Sequence, residues 1–385
     1  MEKTTIIERE GELKFKPQLS GLRFLSLFFM ILYHYSTFLI GVNKHYYLGG
    51  FIIFFFVLSS YLITRILLIA KQKAGDRQFS RRKVAVNFLF RRMLRIFPAY
   101  YFYLLIVILV PVAGQVVRQH PVIYFTYLGN VWIFITQAWE PYTAHLWTLA
   151  VEEQFYIFWP WIILFIPVKH LPKVFISLIC FGMGFRILYF TFHPQGGYFP
   201  LLVLTPACID CFAAGALLGY YHQLGKINNR WLKWVLLAAV PIWLYLGINK
   251  HFRIFAGLDR VFISLLSITL IDKANRGFTG LSKKILENRV IQYLSKISYG
   301  IYIYHIIVSY FFWIFYRWIQ INMIHLGFDV SFLGKWLGSP FVSFWIYLLL
   351  AIGLASISWF CLERPILRLN RLFEYVKPKS RKKPL

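Results

Sequence analysis

Leu-Ser-Gly-Leu-Arg-Phe-Leu-Ser-Leu-Phe-Phe-Met-Ile-Leu-Tyr-His-Tyr-Ser, residues 19–36, is the first apolar run of the chain, and it holds two ionisable side chains, Arg23 and His34. On a helix that turns ~100° per residue, this spacing places His34 within ~20° of the Arg23 face and about 16 Å further along the axis. With Arg23 at a bilayer surface, His34 lies near the middle of a hydrocarbon layer ~30 Å thick. An ionisable group at that depth faces the protein interior or a wet cavity. His34 is therefore a candidate functional residue, and a packing histidine is the alternative.

The composition indicates a membrane protein. Of the 385 residues, 59% are hydrophobic and 20% are aromatic, while only 15% are charged. A soluble domain does not bury so much apolar surface, whereas a polytopic membrane protein needs it. The N-terminus lacks a short apolar core followed by a small-residue cleavage site, so we expect no removable signal peptide.

The apolar runs predict an all-α, polytopic protein with about ten transmembrane helices. Most runs are close to the ~20 residues that a helix needs to cross a bilayer. The predicted spans are residues 21–40, 48–69, 94–113, 145–167, 174–192, 200–221, 232–249, 254–271, 291–316 and 340–361. The stretch 121–138 is aromatic and is interrupted by Gly129 and Asn130, so it is either an eleventh span or a surface-lying or re-entrant segment. We place it outside the bilayer core.

The distribution of Lys and Arg predicts the orientation. With ten spans, the side that holds both termini carries 31 of the 42 basic residues, and the opposite side carries six. Because cytoplasmic loops carry the excess of Lys and Arg, we expect both termini in the cytoplasm and a multi-pass protein of the plasma (inner) membrane. The basic residues are scattered over loops, which argues against a nucleic-acid partner. Membrane lipid and an anionic cytosolic ligand are the favoured partners.

The densest basic cluster ends in Phe-Arg-Arg-Met-Leu-Arg-Ile-Phe-Pro, residues 90–98. Arg92 and Arg95 are three positions apart, so they share a helix face where the span leaves the cytoplasm. Two guanidinium groups on one face can bind phosphate in a bidentate manner. The alternative is an ordinary topological anchor, which suffices for the basic residues from Lys71 to Lys83.

A second polar run, His-Leu-Trp-Thr-Leu-Ala-Val-Glu-Glu-Gln-Phe-Tyr, covers residues 145–156. Helical spacing puts His145, Thr148, Glu152 and Tyr156 on one face, and Glu153 about 100° away. Glu152 lies about 10 Å below the outer surface, which brings it close to the depth of His34. We therefore expect a His34–Glu152 dyad in which the carboxylate orients the imidazole.

A third polar stripe lies in the ninth predicted span. Ser298, Tyr302 and His305 follow one another at intervals of four and three on an apolar helix. Such a stripe lines a cavity or forms hydrogen bonds with neighbouring helices.

These motifs, taken in order, resemble acyltransferase family 3 of bacterial membrane O-acyltransferases. The resemblance covers residues 17–370 and is carried by the Arg23-to-His34 interval, by Arg-Arg-x-x-Arg-Ile-x-Pro at 91–98, by the 145–156 run, by Ile-Ser-Tyr-x-Ile-Tyr-x-x-His at 297–305 and by Glu-Arg-Pro at 363–365. Thr148 stands where the family commonly has serine, which keeps the hydroxyl group.

The resemblance implies a ten-helix core that transfers an acyl group, usually acetyl, from cytoplasmic acyl-CoA to an extracytoplasmic glycan or lipid-linked sugar. It implies His34 as the catalytic histidine, Arg23 as its companion and Arg92 and Arg95, with the adjoining Arg91, as the donor-binding residues. We expect a single membrane acyltransferase domain over 1–370 and a basic cytoplasmic tail over 371–385.

The sequence leaves two chemical routes open. His34 either removes the proton from the acceptor hydroxyl or accepts the acyl group itself. The residues expected to line the substrate cavity are His145, Thr148, Tyr156, Ser298, Tyr302 and His305. We expect no metal, because no two histidines show the spacing of a zinc motif.

A transporter or flippase of a lipid-linked sugar is the main alternative function, since it also needs a polar cavity across the membrane. Such transporters often contain internal repeats, and no period links the two halves of this chain.

Overall fold

The computed structural model describes residues 15–39, 50–76, 80–193, 201–225, 237–243, 245, 252–326, 336–337 and 339–374. These residues are largely helical and include no strand. The helices are α1 (Pro17–Leu39), α2 (Gly50–Asp76), α3 (Arg81–Leu109), α4 (Gln115–Gln119), α5 (Pro121–Phe125), α6 (Gly129–Thr136), α7 (Trp147–Phe165), α8 (Leu171–Phe192), α9 (Thr205–Gln223), α10 (Phe252–Arg276), α11 (Gly280–Leu286), α12 (Arg289–Lys296), α13 (Ser298–His325), α14 (Pro340–Ser358) and α15 (Arg364–Leu367). Three 3-10 turns (Ala144–Leu146, Val168–His170 and Arg368–Leu372) and a π-helical segment (Trp359–Glu363) complete the fold.

The predicted all-α class is confirmed for the described residues. Nine of the ten predicted spans coincide with a described helix of at least 19 residues, and the seventh, 232–249, lies mostly outside the described residues. Among the described helices, five segments are long and apolar enough to cross a bilayer: Gly50–Gly75, Arg81–Leu109, Val168–Phe192, Ser298–His325 and Pro340–Leu372. Most of the predicted basic tail, beyond Glu374, also falls outside the described residues.

The ambiguous stretch 121–138 does not form a spanning helix. It folds as α5 and α6, which have five and eight residues, far fewer than the ~20 needed to cross. Asn130 on α6 and Gln154 on α7 exchange hydrogen bonds of 3.2 and 3.0 Å. Gln154 also donates to the carbonyl of Tyr127 at 2.9 Å. These bonds fix the short helices against α7.

Two helix boundaries differ from the hydropathy prediction. Helix α3 begins 13 residues before the predicted span, because Ser80 caps it by accepting a hydrogen bond from the Lys83 amide and its basic first turns are helical as well. Helix α13 begins at Ser298 because Asn288 starts a separate short helix, α12, which ends at Lys296. Hydropathy locates the apolar part of a helix and misses its polar ends.

Helices α2 and α9 pack closely through two glycines. A methyl group added at Gly215 would collide with the carbonyl of Val57, and one at Gly219 would lie 2.8 Å from the carbonyl of Tyr61. The hydroxyl of Ser60 donates to the carbonyl of Phe212 across this interface at 2.6 Å. Small residues four positions apart let membrane helices approach in this way. The contact fixes α2 against the rest of the bundle.

The buried apolar side chains form two large clusters, and α7 contributes to both. One cluster joins α2, α7 and α9, and the other joins α1, α3, α13 and α14. Large apolar side chains such as Leu109, Phe192 and Leu349 are exposed on the outside of the bundle, which suits contact with lipid. Polar side chains of α1, α7 and α13 meet between the clusters, and the candidate site lies there.

Candidate active site

Three histidines from different parts of the chain meet inside the bundle. His34 lies on α1, His305 on α13 and His145 in the 3-10 turn before α7. The Nδ1 atom of His34 is 2.8 Å from the Nε2 atom of His305, and the two rings stack with centroids 5.1 Å apart. The His145 ring packs against His305 with centroids 5.2 Å apart. His305 and His145 are buried, whereas His34 is partly exposed to a cavity.

The hydrogen bonds assign the proton positions of the neutral rings. His305 Nδ1 lies 2.5 Å from the carbonyl of Tyr302, which can only accept, so Nδ1 carries the proton. His305 Nε2 is then an acceptor, and His34 Nδ1 must donate to it. The lone pair of His34 is consequently on Nε2. That arrangement suits a base or a nucleophile.

The hydroxyls of Thr148 and Tyr302 connect the histidines to the neighbouring cavity. Tyr302 donates to the carbonyl of His145, and its oxygen lies 2.5 Å from the hydroxyl of Thr148. His145 Nε2 bonds to the carbonyl of Ile303 at 3.1 Å, while its Nδ1 atom is buried without a partner among the described residues. The network holds α7 and α13 together beside His34.

The first cavity, here called the arginine cavity, contains three guanidinium groups. Arg23, Arg92 and Arg95 line it, with the single carboxylate of Glu152. Arg92 lies over the ring of Tyr156 at 5.2 Å, and Arg95 lies over the ring of Trp359 at 5.3 Å. Among the described residues, Arg23 and Arg92 form no ion pair with a carboxylate. The cavity, of about 150 Å³, is therefore suited to an anion.

The predicted His34–Glu152 dyad is not formed. Glu152 accepts a hydrogen bond from Ser59 at 3.0 Å and lines the arginine cavity. His34 pairs with His305 and lines a different cavity. Two residues at similar depth make contact only if their helices are neighbours and their side chains face each other. Depth in the membrane determines neither condition. Glu153 is buried elsewhere, and its Oε1 atom has no partner among the described residues.

A second cavity, here called the histidine cavity, lies next to the first. It has a volume of about 170 Å³ and contains His34, Asp259 and Arg260. Ile52 and Phe56 line both cavities and form the boundary between them. A third cavity of about 610 Å³, the mouth, shares Arg23 and Arg95 with the arginine cavity. The three cavities thus lie in series, with His34 furthest from the mouth.

The residues predicted to line the substrate cavity fall into two groups in the structure. Thr148, Tyr156, Ser298 and Tyr302 line the arginine cavity. His145 and His305 belong to the histidine cluster instead. Arg91 does not line any of the three cavities, because its guanidinium points to the C-terminal segment and donates to the carbonyl of Asn370 at 3.3 Å. No group of His, Cys, Asp and Glu side chains within the described ranges has a metal-binding arrangement.

Several residues that line the cavities were not predicted as site residues from the sequence, namely Ser59, Trp139, Trp147, Asp259, Arg260 and Tyr299. Asp259 and Arg260 carried a usable signal, since both are ionisable and both lie in a predicted span. Trp147 and Tyr299 lie within the 145–156 and 297–305 motifs that carry the family resemblance. Ser59 and Trp139 carried no signal, because such residues are common in membrane helices.

Comparison with known proteins assigns most of the chain to one family. The family described as an acyltransferase domain matches residues 16–362. This chain belongs to acyltransferase family 3. The family match covers every lining residue of the three cavities except Phe15 at the mouth.

The relatives of this family member carry related names. A Staphylococcus aureus (strain MSSA476) protein provisionally named an O-acetyltransferase is 27% identical over 356 residues, which is 86% of this chain and 57% of that protein. The peptidoglycan O-acetyltransferase OatA of Listeria monocytogenes is 28% identical over 334 residues, 79% of this chain and 50% of the relative. This chain therefore spans about half the length of these relatives. No solved structure matches it significantly.

Proposed function

We propose that this integral membrane protein transfers an acetyl group from cytoplasmic acetyl-CoA to a hydroxyl group of a cell-wall carbohydrate, with peptidoglycan as the acceptor class. The observation that carries this proposal is the series of cavities: a cationic mouth and arginine cavity lead to a cavity that contains a histidine with its lone pair on Nε2. The family membership supports acyl transfer, and the name of the Listeria relative supports the acceptor class.

The arginine residues are proposed to bind the donor. The phosphate groups of acetyl-CoA are anionic acceptors, and guanidinium groups bind such groups through paired hydrogen bonds. Arg23 and Arg95 line both the mouth and the arginine cavity, so they can hold phosphates as the thioester passes inward. Glu152 is proposed to limit the positive charge of this cavity and to hold Ser59 in place.

We infer the orientation of the protein in the membrane from the distribution of its Lys and Arg residues. Cytoplasmic segments carry the excess of Lys and Arg, so the mouth faces the cytoplasm, where acetyl-CoA is made available. The proposed topology has ten helices in the plasma membrane, both termini on the cytoplasmic side, one acyltransferase domain over 1–370 and a basic tail after it. The histidine cavity then lies toward the outer face.

The proposed chemistry uses His34. Its Nε2 lone pair takes the proton of the acceptor hydroxyl while the hydroxyl oxygen attacks the thioester carbonyl. The bond between that carbon and the sulfur of coenzyme A breaks, and the imidazolium returns the proton to the departing thiolate. Alternatively, Nε2 attacks the thioester carbon and coenzyme A leaves as its thiolate; the acceptor hydroxyl then takes the acetyl group from Nε2, and its proton neutralises the thiolate. His305 is a positioning residue in both routes, because it fixes the proton of His34 on Nδ1.

Sealed membrane vesicles test the direction of transfer. Inside-out vesicles should incorporate acetate from externally added labelled acetyl-CoA into alkali-labile esters of glycan, whereas right-side-out vesicles should not. A strain that lacks the gene should lose these esters and keep its normal amount of glycan. A transporter would give the reverse, with less glycan at the surface and unchanged acetylation of what remains. Equal ester content with and without the gene would contradict the proposal.

A further inference from the structure

The histidine cavity contains one pair of charged residues that the transfer chemistry does not use. Asp259 and Arg260 are adjacent on α10, and both are buried, with exposed fractions of 8% and 4%. They line the same cavity as His34. Charged side chains are costly inside a membrane protein unless they have a function or a full set of partners.

Arg260 is held firmly, and its set of partners is incomplete. One terminal nitrogen donates to the sulfur of Cys208 at 2.6 Å and to the carbonyl of Ala207 at 3.2 Å, and the other donates to the carbonyl of Leu202 at 2.7 Å. The Arg260 Nε atom is buried without a partner among the described residues. A buried N–H group without an acceptor costs free energy, so packing alone does not explain why the chain keeps a guanidinium at this position.

The rest of the cavity wall is aromatic. Tyr33, Trp139 and Trp147 line it, and Trp147 packs edge-on against Phe56 with ring centroids 6.1 Å apart. Aromatic faces are electron-rich and attract the polarised C–H groups of a sugar ring. A carboxylate next to a guanidinium offers both an acceptor and donors, which matches hydroxyl groups that donate and accept at once.

We propose that the histidine cavity is the acceptor subsite, in which Asp259 and Arg260 bind hydroxyl or amide groups of a sugar ring that lies against Tyr33 and Trp147. This inference rests on the proposed function and names the residues that select its acceptor. The charged groups that line the two cavities support the assignment of the donor to the arginine cavity and of the acceptor to the histidine cavity. Three guanidiniums and one carboxylate suit phosphate, whereas one guanidinium beside one carboxylate suits a neutral, hydroxyl-rich ligand.

Binding measured without the donor separates this subsite from the transfer reaction. The purified full chain is titrated with soluble peptidoglycan fragments that carry no O-acetyl groups, and separately with acetyl-CoA. Arg260→Lys keeps the charge and loses the planar donor fork, so it should weaken fragment binding about tenfold. The affinity for acetyl-CoA should stay within about twofold, because Arg260 does not line the arginine cavity.

Arg186→Lys is the matched control. Arg186 is also buried, also donates to the carbonyl of Ala207, and pairs with Asp210 at 2.7 Å without lining the histidine cavity. It should lower the yield of folded protein and leave both affinities per folded molecule unchanged. Asp259→Asn, which keeps the side-chain shape, serves as the second test variant and should also weaken fragment binding.

The outcomes distinguish the subsite from the proposed function. Unchanged fragment affinity in monodisperse Arg260→Lys and Asp259→Asn would overturn the subsite, and so would a wild-type protein that binds no fragments while vesicles still acetylate glycan. Fragment binding that depends on Arg260, in a protein that transfers no acetyl group, would instead overturn the proposed function and keep the subsite.

Discussion

The arginine cavity and the histidine cavity share a wall and differ in chemistry. The first holds three guanidiniums, of which Arg23 and Arg92 have no carboxylate partner among the described residues. The second holds an imidazole, aromatic rings and one adjacent Asp–Arg pair. Binding of an anionic donor and activation of a neutral hydroxyl need opposite surroundings, because strong positive charge disfavours proton uptake by a base. Under the proposed function, the separation would let each cavity serve one substrate.

The largest expected effect is at His34, which supplies the imidazole of the histidine cavity. His34→Ala should lower the rate of acetyl transfer by about 10³-fold or more, since it removes the proposed base or nucleophile. The rate is measured per folded molecule in vesicles. His193→Ala is the control, because His193 is an exposed histidine that lines none of the three cavities. Transfer near the wild-type rate in His34→Ala would remove the histidine cavity from the chemistry.

The next effect separates His305 from Glu152 as the residue that positions His34. His305→Leu should lower kcat about 10²-fold with little change in the KM for acetyl-CoA, because the proton on His34 is no longer fixed. His305→Gln should recover part of the rate, since its amide oxygen can accept from His34 Nδ1.

Glu152→Gln should behave differently in the same assay. Glu152 lies with the arginines, so its loss should change the KM for acetyl-CoA more than kcat. If Glu152→Gln lowers kcat as far as His305→Leu does, then Glu152 acts on the reacting atoms and the assignment of His305 is wrong.

The third effect concerns donor affinity. Replacement of Arg92 and Arg95 together by Gln should raise the KM for acetyl-CoA by roughly 10- to 100-fold and leave the acceptor KM unchanged. Replacement of both by Lys should give a KM for acetyl-CoA between those of the wild type and the Gln variant, because Lys keeps the charge and loses the planar donor fork. Arg82→Gln is the control, because Arg82 is exposed at the start of the same helix and lines none of the three cavities described above. An equal increase in KM for Arg82→Gln would indicate general electrostatic attraction rather than a binding site.

Much of the fold could be predicted because the bilayer sets the length of a spanning helix. The apolar runs located nine of the long helices, and the interruption at Gly129 and Asn130 marked the stretch that does not span. Arg186 and Asp210 lie on consecutive predicted spans at similar depth, a placement that favours a buried ion pair, and they form one with bonds of 3.0 and 2.7 Å. In each case the signal was local to one or two segments.

The partners within the site could not be predicted in the same way. Arg23, His34 and His305 were all identified as candidates, yet the pairing of His34 with His305 depends on which helices are neighbours. Packing determines which helices are neighbours. For example, Gly215 lets α9 approach the carbonyl of Val57 on α2. The sequence predicts the helical face on which Glu152 lies and the depth of His34. Neither property determines how one helix is rotated relative to another, and that rotation decides which side chains meet.

The smallest expected effect is at the boundary between the cavities. Phe56 lines both cavities, stacks on Phe212 with centroids 4.8 Å apart and is buried. Phe56→Leu should widen the boundary at which the thioester meets His34 and admit water there, so that acetyl-CoA hydrolysis without acceptor rises about threefold while transfer falls. Phe155→Leu is a close control, because Phe155 stacks on the same Phe212 ring at 4.1 Å, is equally buried and lines neither cavity. The two variants lose similar packing, so a change in hydrolysis confined to Phe56→Leu can be attributed to the boundary. Equal hydrolysis in both variants would mean that Phe56 only packs, and that something other than this wall keeps water from the donor.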